Sequence, residues 1–408
     1  MSTRHDPYQS LRFRDFRWLL IATTFAFMAA QLQSLVLGWQ VYERTHDPLT
    51  LGWIGLSEAI PFLGLSLLGG WAADHWDRRI LCIVATALSL LGAILLVFLA
   101  QSTNNLAVWP FYAIQAFAGV SRALSRPASQ ALGTDLIPRD AYGNAATWRS
   151  SCFHFSMVAG PALGGLLFAA GGGQLAYKVL ALLYLAGLVA LYSVRDPKER
   201  SSRVSGENAS LVAGVKFVFS NRLILSALSL DLFAVLFGGA IALLPAFAHD
   251  ILHIGPAGLG LMRTAPAVGA IAMAFVVAHR RPSERAGIIL LLSVAAFGIT
   301  WILFASSRNL VWSLLLLAAS GAFDNVSVIL RATLVQTLTP SQMMGRVQAV
   351  NGFFIGSSNE IGAFESGLAA RVFGLVPSVI LGGCLTLVVV GLVSKMVPEL
   401  RKLGRITS

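Results

Sequence analysis

Twelve stretches of this chain are apolar for long enough to cross a lipid bilayer, and that feature excludes most folds. A spanning helix needs about 20 apolar residues to cross a hydrocarbon layer about 30 Å thick. Such runs cover 17–42, 50–73, 80–100, 108–130, 143–169, 176–194, 220–248, 257–279, 286–306, 311–335, 345–371 and 376–397. None alternates with period two, so they read as helices and not as outer-membrane strands. Only 12% of the residues are charged, against about 25% in soluble domains, so most of the surface must face lipid. The 38 glycines suit helices packed closely within a membrane. The predicted fold class is an all-α integral membrane protein of twelve transmembrane helices.

The formal net charge of +11 raises the question of nucleic acid. Its placement answers against it. Roughly 21 of the 30 Lys and Arg fall in the termini and in alternate loops on one side, the positive-inside pattern. Both termini are therefore expected in the cytoplasm, with the chain in the inner (plasma) membrane. Arg4, Arg12, Arg14 and Arg17 precede the first run, which is too long for a signal-peptide core, so helix 1 is expected to be retained. Cys82, Cys152 and Cys384 are scattered among helices. They show no metal or redox spacing, so neither metal nor cofactor is expected. HExxH, GxSxG and Walker signatures are missing from the sequence, which argues against an enzyme.

The longest polar stretch, 195–222, separates helices 6 and 7. It divides the chain into an N-terminal bundle (1–194), a cytoplasmic linker (195–219) with a short amphipathic helix near Leu211–Phe219, and a C-terminal bundle (220–408). The bundles resemble each other. At an offset of 205, Gly55, Leu56 and Pro61 fall on Gly260, Leu261 and Pro266. At an offset of 202, Gly119, Pro138, Gly143, Gly160, Gly165 and Gly172 fall on Gly321, Pro340, Gly345, Gly362, Gly367 and Gly374. Two pseudo-symmetric six-helix bundles can rock about a midplane site, which is how secondary transporters alternate access.

Ionisable residues inside a membrane cost about 2.5–3.5 kcal/mol each on insertion scales and default to a functional reading. Under the offsets, Glu58 falls on Arg263 and Arg122 on Asp324, each a pair of opposite charge. Asp231 has no Lys or Arg one helical turn away, so it reads as an unpaired carboxyl, free to carry a proton. Glu360 and Glu365 are five residues apart, roughly 140° around helix 11, and cannot share one small site. Gln115 and the helix 1 glutamines read as cavity-lining or interhelical groups. Pro161 should kink helix 5. Gly160, Gly164 and Gly165 beside it remove side chains and should allow close approach to helix 8.

Three motifs carry a family resemblance. Gly70-Trp-Ala-Ala-Asp74-His-Trp-Asp77-Arg78-Arg79 resembles the cytoplasmic loop motif of the major facilitator superfamily. His75 and Asp77 depart from it, standing where an Arg and a Gly are usual. Gly160-Pro161-Ala-Leu-Gly164-Gly165 resembles the superfamily's antiporter motif, which marks exporters more than importers. Gly345-Arg346 through Glu365-Ser-Gly367 is similar to the enterobactin-exporter-like branch.

The resemblance implies that helices 1, 4, 7 and 10 line a central cavity, where Arg122 would face Asp324 and where Asp231 and Gln115 would also stand. It implies that Asp74 docks on the N-terminus of helix 11 near Arg346, with Arg78 and Arg79 as the motif's basic pair. Glu58 and Arg263 are expected to gate the other side. Asp231, Asp324 and Glu360 are the expected proton carriers, with Asp231 first. The expected activity is proton-coupled export of a small amphipathic compound, such as a siderophore or drug, by a monomer whose other partners are protons and the bilayer.

Overall fold

The structure, a computed structural model, describes residues 6–101, 107–195, 211–238, 240–279, 285–340 and 342–404. Among the described residues there is no strand. Twelve long helices follow in order: α1 Arg14–Thr45, α2 Pro48–His75, α3 Arg78–Gln101, α4 Trp109–Asp135, α5 and α6 within Tyr142–Tyr192, α7 Arg222–Gly238, α8 Pro256–Ala278, α9 Ala286–Ser306, α10 Leu310–Leu338, α11 Met344–Phe373 and α12 Leu375–Met396. The linker carries one short helix, Leu211–Ser220, as expected. Most of the long helices are apolar enough to span a membrane on composition alone. The more polar α4 and α11 are two of those that carry the ionisable candidates.

Local chemistry sets several helix starts. The Oδ1 atoms of Asp47, Asp77, Asn221 and Asn309 each accept from backbone amides in the first turn of α2, α3, α7 and α10. Each satisfies N–H groups that the helix itself leaves unpaired. Asp77 caps Arg79 N at 2.8 Å and Ile80 N at 3.0 Å. That accounts for an aspartate where the loop motif usually has glycine.

The break between α5 and α6 falls at Gly171 (φ −151°) and Gly172 (φ +66°), which splits the stretch into 142–170 and 173–192. Pro161 sits buried inside α5, ten residues before this break. The chain passes from α11 to α12 through Gly374, at φ +91°. These two are the positive-φ glycines among the described residues, and they are partners at the 202 offset. A side chain would be strained at either.

The same echo holds in packing. A Cβ on Gly119 would lie 2.3 Å from the carbonyl oxygen of Glu58 and 3.1 Å from Pro61 Cγ. On Gly321 it would lie 2.0 Å from the carbonyl oxygen of Pro266. Gly160 meets Met28 and Gln31 of α1, and Gly362 meets Val235 and Leu236 of α7. Each fifth helix of a half thus rests on the first helix of that half. The antiporter-motif glycines therefore approach α1, with Gly164 also on Leu32; Gly165 is buried beside them.

Helix 7 departs from the continuous run 220–248. Beyond Gly238 the chain forms a 3-10 turn (Ala240–Leu243), a short α turn and a π turn (Phe247–Ile251). Leu252 N bonds to Phe247 O at 2.9 Å, five residues back. Gly238 and Pro245 flank the change.

The chain clusters into two compact units: Met1–Val41 with Ser57–Val204, and Tyr42–Leu56 with Ser205–Ser408. The core of the first joins Leu19, Ala72, Leu81, Cys82, Leu132 and Leu191 from α1, α2, α3, α4 and α6. That of the second joins Ile224, Leu228, Leu290, Val294, Leu334 and Val347 from α7, α9, α10 and α11.

Candidate transport site

Each unit holds a polar cluster at the heart of an apolar bundle. In the first, Gln33 Nε2 of α1 donates to Gln115 Oε1 of α4 at 3.1 Å. Gln115 Nε2 donates to Glu58 Oε2 of α2 at 2.6 Å. Glu58 Oε1 pairs with Arg122 of α4 at 2.7 Å, and the Arg122 guanidinium lies 4.1 Å over the Phe62 ring. Three helices are thus tied by one chain of bonds. Its charge balances, one carboxylate to one guanidinium. Arg126, one turn along α4, is exposed and within electrostatic reach of Arg122. A charge left exposed on a membrane helix calls for water or a ligand beside it.

Arg122 is thus paired within its own unit, with Glu58. The bond forms between α2 and α4, which Gly119 lets approach at Glu58. Arg263 is a half-buried residue of α8.

In the second unit, Asp231 of α7 pairs with Arg331 of α10. Both are buried, at 7% and 4% exposure. Sequence reasoning read Asp231 as unpaired because it searched one turn along the same helix; the partner lies a hundred residues on. Asp324 stands seven residues before Arg331, two turns along the same face of α10. It feels the charge of both Asp231 and Arg331, yet makes no direct ion pair or hydrogen bond among the described residues. Two carboxylates therefore lie within electrostatic reach of one guanidinium, which pairs with Asp231 alone. With both ionised, the cluster carries one uncompensated negative charge. The Oδ1 atoms of neighbouring Asn325 and of Asn351 in α11 are buried without a hydrogen-bond partner among the described residues. Arg331 itself is legible in the sequence as a charge deep within an apolar run; its partner is not.

Glu365 lies half-buried in α11. The side chain of Glu360 lies outside the described residues, as does most of the linker and the loop 280–284. In the first unit, the loop motif is built around its first arginine. Arg78 pairs with Asp135 at the end of α4 and donates to Ala131 O at 3.2 Å and Ala73 O at 3.3 Å. Arg79 donates to Tyr192 O at 2.9 Å at the end of α6. Asp74 is exposed in the last turn of α2. Arg346 occupies the first turn of α11, where its backbone and Cβ pack against Gly214 of the linker helix.

The profile of the Major Facilitator Superfamily matches residues 19–363. The enterobactin exporter EntS of Escherichia coli O1:K1 / APEC is 28% identical over 399 residues, covering 92% of each chain. That of Shigella flexneri is 27% identical over 393 residues, again covering 92% of each. Among solved structures, a bacterial homologue of the human lysosomal transporter Spinster, inward-facing and unoccupied, superposes with a TM-score of 0.76 at 14% identity, covering 97% of this chain and 99% of that one. The nucleoside transporter NupG gives a TM-score of 0.69 at 14% identity, covering 94% of this chain and 99% of that one.

Proposed function

The chain belongs to the major facilitator superfamily and is a multi-pass membrane transporter, and from that premise we propose that it exports a small amphipathic compound in exchange for protons. The observation that carries the coupling is the cluster in the second unit. Two carboxylates around one guanidinium hold an excess negative charge inside an apolar bundle. Burying an uncompensated charge costs several kcal/mol, and binding one proton removes it. Asp231 is committed to Arg331, so Asp324 is the group that takes and releases the proton. This reverses the order expected from sequence, which put Asp231 first. Glu360 keeps its place as a further candidate.

The cations of α4 supply the other half. Arg122 and exposed Arg126 suit an anionic or hydroxyl-rich group on the substrate, and Gln115 and Phe62 offer hydrogen-bonding and aromatic surface beside them. The likeness to enterobactin exporters, over nearly the full length of each chain, supports a siderophore or a compound of similar size. The antiporter-motif glycines support export. Charge placement supports both termini on the cytoplasmic side of the inner membrane, and the working unit is taken to be a monomer. Asp74 and Arg346 would act at the cytoplasmic gate, with Arg78 and Arg79 fixing the motif's shape. Glu58 and Arg263 would act on the far side. Any such lock is worth only a few kcal/mol, because alternating access needs both states populated.

The test is purified protein in liposomes with an imposed pH gradient, presented with catecholate siderophores and lipophilic drugs. Substrate movement that discharges the gradient supports the proposal. Substrate movement that leaves the gradient untouched makes the protein an uncoupled facilitator.

A further inference from the structure

The turn between α1 and α2 and the end of the broken α7 segment bring together chemistry that the transport mechanism does not use. His46, His249 and Asp250 each offer one ligand atom, and these atoms lie within 4.8 Å of one another. All three belong to the second unit. The imidazole rings of His46 and His249 are 5.0 Å apart, centroid to centroid. Asp250 Oδ1 sits 2.7 Å from His249 Nδ1, and its Oδ2 accepts from the Tyr42 hydroxyl.

Two unusual pieces of backbone hold the group in place. His46 ends α1 at φ +48°, with its amide bonded to Tyr42 O at 2.8 Å. Helices usually place a glycine or asparagine in that conformation. His249 and Asp250 lie within the π turn. Single π turns recur at functional sites, because the inserted residue re-aims the side chains around it.

We propose that His46, His249 and Asp250 form a site for a divalent transition-metal ion, Zn²⁺ above others, at the membrane face where α1 turns into α2. Two imidazole nitrogens and one carboxylate oxygen are a ligand set that Zn²⁺ takes readily, with a fourth position left for water. Calcium and magnesium prefer oxygen-only sites. Zinc–nitrogen bonds of about 2.0–2.1 Å in a tetrahedron require ligand atoms roughly 3.4 Å apart. The widest separation must therefore close by up to about 1.4 Å, which exposed His46 and Asp250 can do by side-chain rotation. The Tyr42 hydroxyl orients the carboxylate from behind, as outer-shell partners do.

The site has a mechanical consequence. Both α1 and α2 pass from one unit to the other at the segment Tyr42–Leu56. A metal ion bound there fixes this crossover segment to the π turn of the same unit and slows any step that moves the two apart. Zn²⁺ on that side of the membrane is thus an inhibitor of transport.

The experiment titrates full-length purified protein with Zn²⁺ alone against a chromophoric chelator. The result expected is one ion per chain. H46Q, H249Q and D250N should each weaken binding by about tenfold or more, and Y42F should weaken it by about tenfold with the stoichiometry kept. H279Q, at a distant exposed histidine, should bind as the parent does. Retained thermal stability in the variants separates lost ligands from lost fold. In proteoliposomes, Zn²⁺ should slow the parent and leave H46Q unaffected. An absence of saturable binding overturns the site, as does unchanged binding in the H46Q/H249Q double variant. Equal inhibition of parent and H46Q overturns the tie.

Discussion

Replacing Arg331 with methionine keeps most of the side chain's length and removes the guanidinium that pairs with Asp231 and lies within electrostatic reach of Asp324. The cluster then holds two carboxylates and no cation. Removing one partner of a buried ion pair costs about 3–5 kcal/mol, and at 4% exposure Arg331 falls under that rule. Asp231→Asn perturbs the same bond from the other side but leaves Arg331 with Asp324 two turns away on the same helix, a neutral set. Its cost is one charge-assisted hydrogen bond, about 1.5–3 kcal/mol. The single variants should therefore differ by about 2 kcal/mol, with Arg331→Met the worse, by the ranges just given. The double variant should fall short of their sum by about 0.5–3 kcal/mol, because the two side chains touch. Denaturant unfolding in lipid–detergent micelles can read this through Trp301, which is 1% exposed in the same unit. Equal costs for the two single variants, or strict additivity, would refute the charge count on which proton coupling rests.

Three further outcomes follow from the repeat and the first cluster. Gly172→Ala and Gly374→Ala should each lose about 1–3 kcal/mol, because a side chain at those dihedrals is strained; Gly143→Ala, with open space around its Cβ position, should be neutral or slightly stabilising in the same unfolding assay. Gly119→Ala and Gly321→Ala should behave as a matched pair, each losing about 1–3 kcal/mol or more to overpacking against backbone, and circular dichroism melts of the two should agree in rank. Glu58→Gln should cost only about 1 kcal/mol in stability, since Arg122 is partly exposed, yet should change substrate affinity through the freed guanidinium, as read by Trp quenching.

The helices and the two-fold repeat were legible because periodic apolarity and glycine placement are local or regularly spaced signals. The match of Gly172 to Gly374 in sequence became a match of two left-handed breaks between helices. The match of Pro61 to Pro266 and Gly119 to Gly321 became a repeated helix contact. The charge partners were not legible. Glu58 finds Arg122, and Asp231 finds Arg331, across helices whose rotation no single sequence reveals. Both bonds join neighbouring helices of one unit, a contact that the spacing of residues along the chain does not encode. The π turn at Phe247–Ile251 had no sequence signal beyond the nearby Gly238 and Pro245. His249 and Asp250 lie in that turn, beside His46.

The most direct test of coupling uses inverted vesicles carrying the parent protein, Asp324→Asn or Asp231→Asn, with pH-driven substrate uptake and substrate–substrate exchange measured side by side. Asp324→Asn should lose gradient-driven accumulation and keep exchange that no longer responds to pH, with Asp231→Asn less affected in coupling. Full gradient-driven accumulation by Asp324→Asn would contradict the account.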